Sequence, residues 1–79
     1  AAGHGGDGVV RSPMPGTVLV VKAAEGDRVH AGQPLLVLEA MKMEHTLVAP
    51  IDGVVAELRA RPGQAVALDA VLARVAPCE

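Results

Sequence analysis

The chain has no phenylalanine, tyrosine or tryptophan among its 79 residues, and its single cysteine is Cys78. Any core must therefore come from Val, Leu, Ile and Ala. One small domain of this length buries too little to enclose a deep active-site cavity. A lone cysteine excludes an internal disulfide framework and suits a reducing compartment. Charge is scarce as well: seven Lys and Arg against nine Asp and Glu give a formal net charge of -2, spread singly along the chain. That leaves no basic face for nucleic acid and no cluster to attract a membrane surface. No apolar run approaches the length of a transmembrane span and no signal-peptide pattern is seen, so the expected location is the cytoplasm. Also missing are a Gly-rich phosphate loop, a supported Ser/His/Asp set and a Cys/His cluster at metal-ligand spacing. The three histidines, His4, His30 and His45, are scattered and read as solvated residues. No enzymatic chemistry of its own is expected of this chain.

What is present is a repeat. Residues 9–39 align with residues 46–76 at an offset of 37 without a gap. Pro13 falls on Pro50, Gly16 on Gly53, Val18 on Val55, Gly26 on Gly63, Val29 on Val66 and Leu35 on Leu72. Punctuation and apolar residues keep the same register, so each half is one supersecondary unit. Two copies are too few for a solenoid, but they can bury their apolar faces across a pseudo-two-fold axis. Each half divides into four short β-prone runs: 9–12, 17–22, around Val29 and 35–38, matched by 46–49, 54–59, around Val66 and 72–75. Pro-x-x-Gly and Gly-centred turns separate them. Residues 56–61 contain good helix formers, but their repeat partners are strand-like and Pro62-Gly63 closes the segment, so a strand is expected there. Glu57 and Arg74 occupy the places of Val20 and Val37, which assigns that parity to solvent. Leu19, Val21, Leu36, Leu38, Ala56, Leu58, Ala73 and Val75 are then the expected core. The Gly-rich residues 1–8 read as a flexible linker or an expression remnant, and residues 9–77 as the domain.

The halves meet at Ala40-Met41-Lys42-Met43-Glu44-His45. Two β-prone runs with so short a connection read as a hairpin with Met41 and Lys42 at its tip. Neither is Gly or Asn, the residues that usually supply the positive φ of a two-residue hairpin turn. Lys42 is thereby presented to solvent, between two apolar, polarisable side chains where polar ones would be expected. A turn tip in water offers no means of lowering a lysine pKa for Schiff-base chemistry. The residues alone leave two readings: an ordinary solvated lysine, or a target for covalent modification by another enzyme. Lys42 should project from one end of the domain, with the chain ends at the other.

The Glu39-Ala40-Met41-Lys42-Met43-Glu44 segment resembles the attachment motif of biotinyl domains, the carrier modules of biotin-dependent carboxylases. Pro13-Met14-Pro15-Gly16 upstream and Ala49-Pro50-x-x-Gly53 downstream match the same family, so the resemblance covers about residues 9–76. It implies an all-β fold: a flattened eight-stranded barrel or sandwich of two four-stranded antiparallel sheets with quasi-two-fold symmetry. It implies biotin joined covalently to Lys42 by a biotin–protein ligase using ATP, with Met41, Met43 and Ala40 serving ligase recognition and arm orientation. The implied partners are that ligase, a biotin carboxylase domain and a carboxyltransferase domain or subunit, with no nucleic acid and no membrane. The tight connection at residues 22–27 has no room for the protruding loop that many bacterial acetyl-CoA carboxylase carriers bear. The chain is more similar to the thumbless C-terminal domains of carboxylases acting on methylcrotonyl-CoA or other acyl-CoA, or on pyruvate. The Ala- and Arg-rich composition favours a bacterial source. Two rivals share the architecture: a lipoyl-type swinging-arm carrier, which usually has Asp-Lys-Ala at the tip, and an unmodified interaction module.

Overall fold

The computed structural model describes residues 8–77, so Cys78 and most of the expected linker lie outside the described residues. Eight strands form in order: β1 (Val9–Arg11), β2 (Gly16–Val21), β3 (Arg28–Val29), β4 (Pro34–Ala40), β5 (Met43–Val48), β6 (Gly53–Leu58), β7 (Ala65–Val66) and β8 (Val71–Pro77). No helix occurs among the described residues. The helix-prone 56–61 segment is strand as far as Leu58; tertiary pairing with Ala73 overrides its local propensity.

The strands pair into two four-stranded antiparallel sheets, β1-β8-β6-β3 and β5-β4-β2-β7. Replacing each strand by its repeat partner, β1 by β5, β2 by β6, β3 by β7 and β4 by β8, turns one order into the other. This is the quasi-two-fold flattened barrel-sandwich that the resemblance implies. The halves do not simply face each other, however. Each sheet takes two strands from each half, so the copies are interleaved. Ala40 ends β4 as Pro77, its repeat partner, ends β8. The quasi-dyad therefore relates the hairpin tip to the C-terminal end of the last strand.

Four register breaks shape the sheets, and they obey the same symmetry. In β2, Val18 pairs with Leu38 and Val20 with Val37, leaving Leu19 as an extra residue. In β6, Val55 pairs with Val75 and Glu57 with Arg74, leaving its repeat partner Ala56 extra. Leu35 is extra in β4 and Leu72 in β8. An extra residue upsets strict alternation, which corrects part of the expected core. Leu36, Leu38, Ala73 and Val75 are buried as expected. Ala56 is instead exposed and Leu19 only half-buried, whereas Val18 and Val55, assigned to the opposite parity, are fully buried. Leu35-Leu36 and Leu72-Ala73 each send two successive side chains inward. The outward parity holds at Val20, which is 47% exposed. Glu57 on the other sheet binds Arg74 across the strands (3.2 Å) and lies 3.6 Å from Arg59.

The glycines divide into two kinds. Gly26 and Gly63 have φ of 91° and 85° and open space around them, as turn residues should. Gly16 and Gly53 are strand residues without positive φ, and the turn role expected for them is not theirs. A Cβ on Gly16 would lie 2.4 Å from the Glu39 carbonyl oxygen, and one on Gly53 would lie 1.9 Å from that of Ala76. They are glycines because a neighbouring strand passes too close for any side chain.

Candidate functional site

The β4–β5 hairpin is the longest paired unit in its sheet, running from Pro34 opposite Val48 to Ala40 opposite Met43. Two residues, Met41 and Lys42, close it. Their φ angles are 54° and 65°, so both adopt the left-handed conformation of a mirror-image two-residue turn. The hairpin geometry expected from the spacing forms, although neither residue is of the type that favours it. Left-handed backbone costs an L-residue about 1–2 kcal/mol, and two adjacent examples at an exposed tip are a local conflict between sequence and fold. Asp69, at the repeat position of Gly32, is the remaining described non-glycine with positive φ.

The strain is held by the base of the hairpin. Ala40 is 4% exposed, and its methyl group lies 3.0 Å from where a Gly16 Cβ would stand. The backbone of β4 is thereby drawn close onto β2. Ala40 faces the interior, so it can influence recognition only by placing the tip, not by touching a partner. Glu39 and Glu44 are directly paired across the strands and both exposed, which sets two carboxylates side by side just below the turn. Like charges opposite one another weaken a strand pair.

Above this base, Met41 is 82% exposed and Met43 62% exposed, the two most exposed large apolar side chains described. Lys42 stands between them in solvent. Among the described residues the ion pairs are those of Glu57 with Arg59 and Arg74, so Lys42 is engaged in none. The tip brings Met41, Lys42 and Met43 together as expected. His45 departs from the reading of it as solvated. Alternation along β5 places it opposite Leu38 in the inward row, half-buried, with Nε2 closed off and lacking a hydrogen-bond partner. Nothing in its local sequence separates it from a surface histidine; the register of the whole hairpin decides it. His30 is exposed and lines a shallow depression with Arg28 and Asp52 at the edge of the other sheet. Asp52 there accepts a hydrogen bond from the Ala31 amide at 2.7 Å. Among the described residues no group of three His, Cys, Asp or Glu side chains gathers as a metal site, and no helix is long and apolar enough to cross a membrane.

The arrangement can do one thing chemically: offer a primary amine, held clear of the body, between two apolar handles. The chain is similar to known proteins. A family model described as "Biotin-requiring enzyme" matches residues 8–75. The alpha subunit of mitochondrial methylcrotonoyl-CoA carboxylase from Dictyostelium discoideum is 54% identical over 57 residues, 68% of this chain and 8% of that protein. The biotin carboxyl carrier protein of acetyl-CoA carboxylase from Solanum lycopersicum is 49% identical over 59 residues, 75% of this chain and 84% of that protein. A solved single-chain, multi-domain long-chain acyl-CoA carboxylase superposes with a TM-score of 0.83 at 38% identity, covering 94% of this chain and 8% of that one. The chain thus spans a small fraction of the carboxylases it matches and most of the Solanum lycopersicum carrier protein.

Proposed function

The chain belongs to the family of biotin-requiring enzyme domains, as a biotin carrier, and from that premise we propose that Lys42 is its attachment residue, joined to biotin through an amide at Nζ. The observation that carries this is Met41-Lys42-Met43 at a two-residue tip, with the lysine exposed and engaged in no ion pair. The residues fit the group. Acylating Lys42 breaks no ion pair among the described residues, and an amide at an exposed tip leaves the arm free to swing.

Bound biotin supplies a ring nitrogen that takes up and releases a carboxyl group. The chain's own residues do the rest by position. Gly16 and Ala40 hold the hairpin base, the left-handed turn lifts Lys42 away from the sheets, and Met41 and Met43 offer the apolar surface that a biotin–protein ligase grips. In the parent protein the domain moves between a biotin carboxylase site and a carboxyltransferase site acting on an acyl-CoA, of the methylcrotonyl type, or on pyruvate. The likeness to carboxylases of these kinds supports that assignment. So does the short connection at residues 22–27, which carries no protruding loop. Tethering raises effective concentration, so each visit needs little affinity. A lipoyl arm is the less supported reading, because Met flanks rather than Asp and Ala surround the lysine.

The test is intact mass and peptide mapping after incubation with biotin–protein ligase, biotin and ATP. One biotin on Lys42 and none on Lys22 is expected, and Lys42→Arg should take up none while unfolding at an unchanged denaturant midpoint. A folded wild-type chain that gains no biotin would remove the reading.

A further inference from the structure

The chain contains three methionines, and the fold treats them unequally. Met41 and Met43 are 82% and 62% exposed on either side of Lys42. Met14 is half-buried in the Pro-x-x-Gly turn before β2. With no aromatic residue present, the side chains most open to mild oxidation are these thioethers and the Cys78 thiol. Two apolar side chains so exposed at a turn contribute little to the fold, so their value lies in what they touch when a partner closes over Lys42. A sulfoxide replaces that apolar, polarisable surface with a strongly polar, chiral group.

Resting on the carrier reading above, we infer that Met41 and Met43 form a peroxide-responsive modification site whose oxidation closes Lys42 to the enzyme that modifies it. The co-reactant is hydrogen peroxide. The thioether sulfur attacks one peroxide oxygen, the O–O bond breaks and an S–O bond forms. The sulfur is oxidised by two electrons and the peroxide is reduced, its second oxygen leaving as water. Methionine sulfoxide reductases reverse the step, one enzyme for each sulfoxide epimer, with two thiols oxidised to a disulfide and the oxygen leaving as water. Because both thioethers stand outside the core, the oxidised chain stays folded. The body of the domain is untouched while its one functional amine is masked.

The experiment uses the full chain carrying Cys78→Ser, treated with hydrogen peroxide and mapped by peptide mass against time. It is then given ligase, biotin and ATP, with far-ultraviolet circular dichroism as the measure of fold. One oxygen each on Met41 and Met43 is expected well before any on Met14. The initial rate of biotin uptake should fall by roughly tenfold or more, the scale of losing one buried apolar contact at an interface. Treatment with both reductases should restore it. A Met41→Leu/Met43→Leu chain should keep its own rate after peroxide. Oxidation of Met14 at the same pace, undiminished uptake by the doubly oxidised chain, or an equal peroxide loss in the leucine variant would each overturn the inference. An untreated chain that takes no biotin would instead overturn the carrier reading and this inference with it.

Discussion

Replacing Met41 by glycine should make the domain more stable and, on the carrier reading proposed above, a poorer substrate for a biotin–protein ligase. Met41 sits at φ 54° beside Lys42 at 65°. Leaving the left-handed region to glycine relieves about 1–2 kcal/mol of steric cost. Against that, glycine loses about 0.5–1 kcal/mol more backbone entropy on folding. Met41 is 82% exposed, so truncating it gives up only a few tenths of a kcal/mol of burial, about a fifth of a full methionine's worth. The balance is a gain of roughly 0.5 kcal/mol, or about 2–4 °C in Tm for a domain of this size. Met41→Asn, which tolerates the same φ without the entropic loss, should gain somewhat more, about 1 kcal/mol. Urea unfolding followed by circular dichroism measures the first quantity, with an unchanged slope confirming that the shift is one of stability. The initial rate of biotin uptake measures the second and should drop by roughly tenfold. Destabilisation by more than about 1 kcal/mol would mean that Met41 packs in a way its exposure conceals. An unchanged uptake rate would mean that the methionine at this position is not read.

Other perturbations separate the remaining structural claims. Gly53→Ala should destabilise by about 2–3 kcal/mol, because its Cβ would stand 1.9 Å from the Ala76 carbonyl oxygen, whereas Gly26→Ala, at φ 91° with open space, should cost about 1 kcal/mol. Equal costs, read from urea midpoints, would refute the distinction between close approach and turn conformation. Leu35→Ala should cost about 2–5 kcal/mol, since this bulged, fully buried leucine belongs to a core without aromatic side chains. The hydrogen bond from Arg74 and the charge of Arg59 hold the Glu57 carboxyl below its ordinary value. A carboxyl with a lowered folded-state pKa contributes stability above its unfolded value and loses it as pH falls through the folded one. Glu57→Gln should therefore show a smaller loss of stability through the acidic range, and an identical acid slope in the two proteins would refute the pairing.

Much of this was legible from residues alone because the repeat imposes two readings on each position. The strand at residues 53–58 is an example: its helix-prone composition was outweighed by a β-branched partner copy. The exposed hairpin tip that bears Lys42 was legible for a different reason, because two apolar strands are joined there by a very short connection that contains no turn residue. What stayed hidden depends on pairing between strands distant in sequence. Leu19 and Ala56 were assigned to the core by alternation, and only the partner strand reveals that each is an extra residue with no opposite number. The signal was present in a faint form: Leu35-Leu36 and Leu72-Ala73 are doubled apolar residues at equivalent repeat positions. Gly16 and Gly53 likewise look like turn residues beside a proline, until a second strand is laid against them. The inward turn of His45 follows from the register of the whole hairpin and from nothing nearby in the sequence.

The interleaving of the halves sets a clock on the domain's maturation. The sheet that contains β1 cannot close until β8 arrives to sit between β1 and β6, and β8 ends at Pro77. The sheet bearing Lys42 borrows β7 from the second half, and a lone two-stranded hairpin is marginal in water. A ribosome-bound chain that has just emerged past His45 therefore exposes its lysine in an unstructured segment, without the strained turn that presents it. The Lys42 sheet gains its fourth strand only with β7 and the facing sheet closes only with β8, so on the carrier reading proposed above a ligase that requires the folded tip would pass over half-made chains.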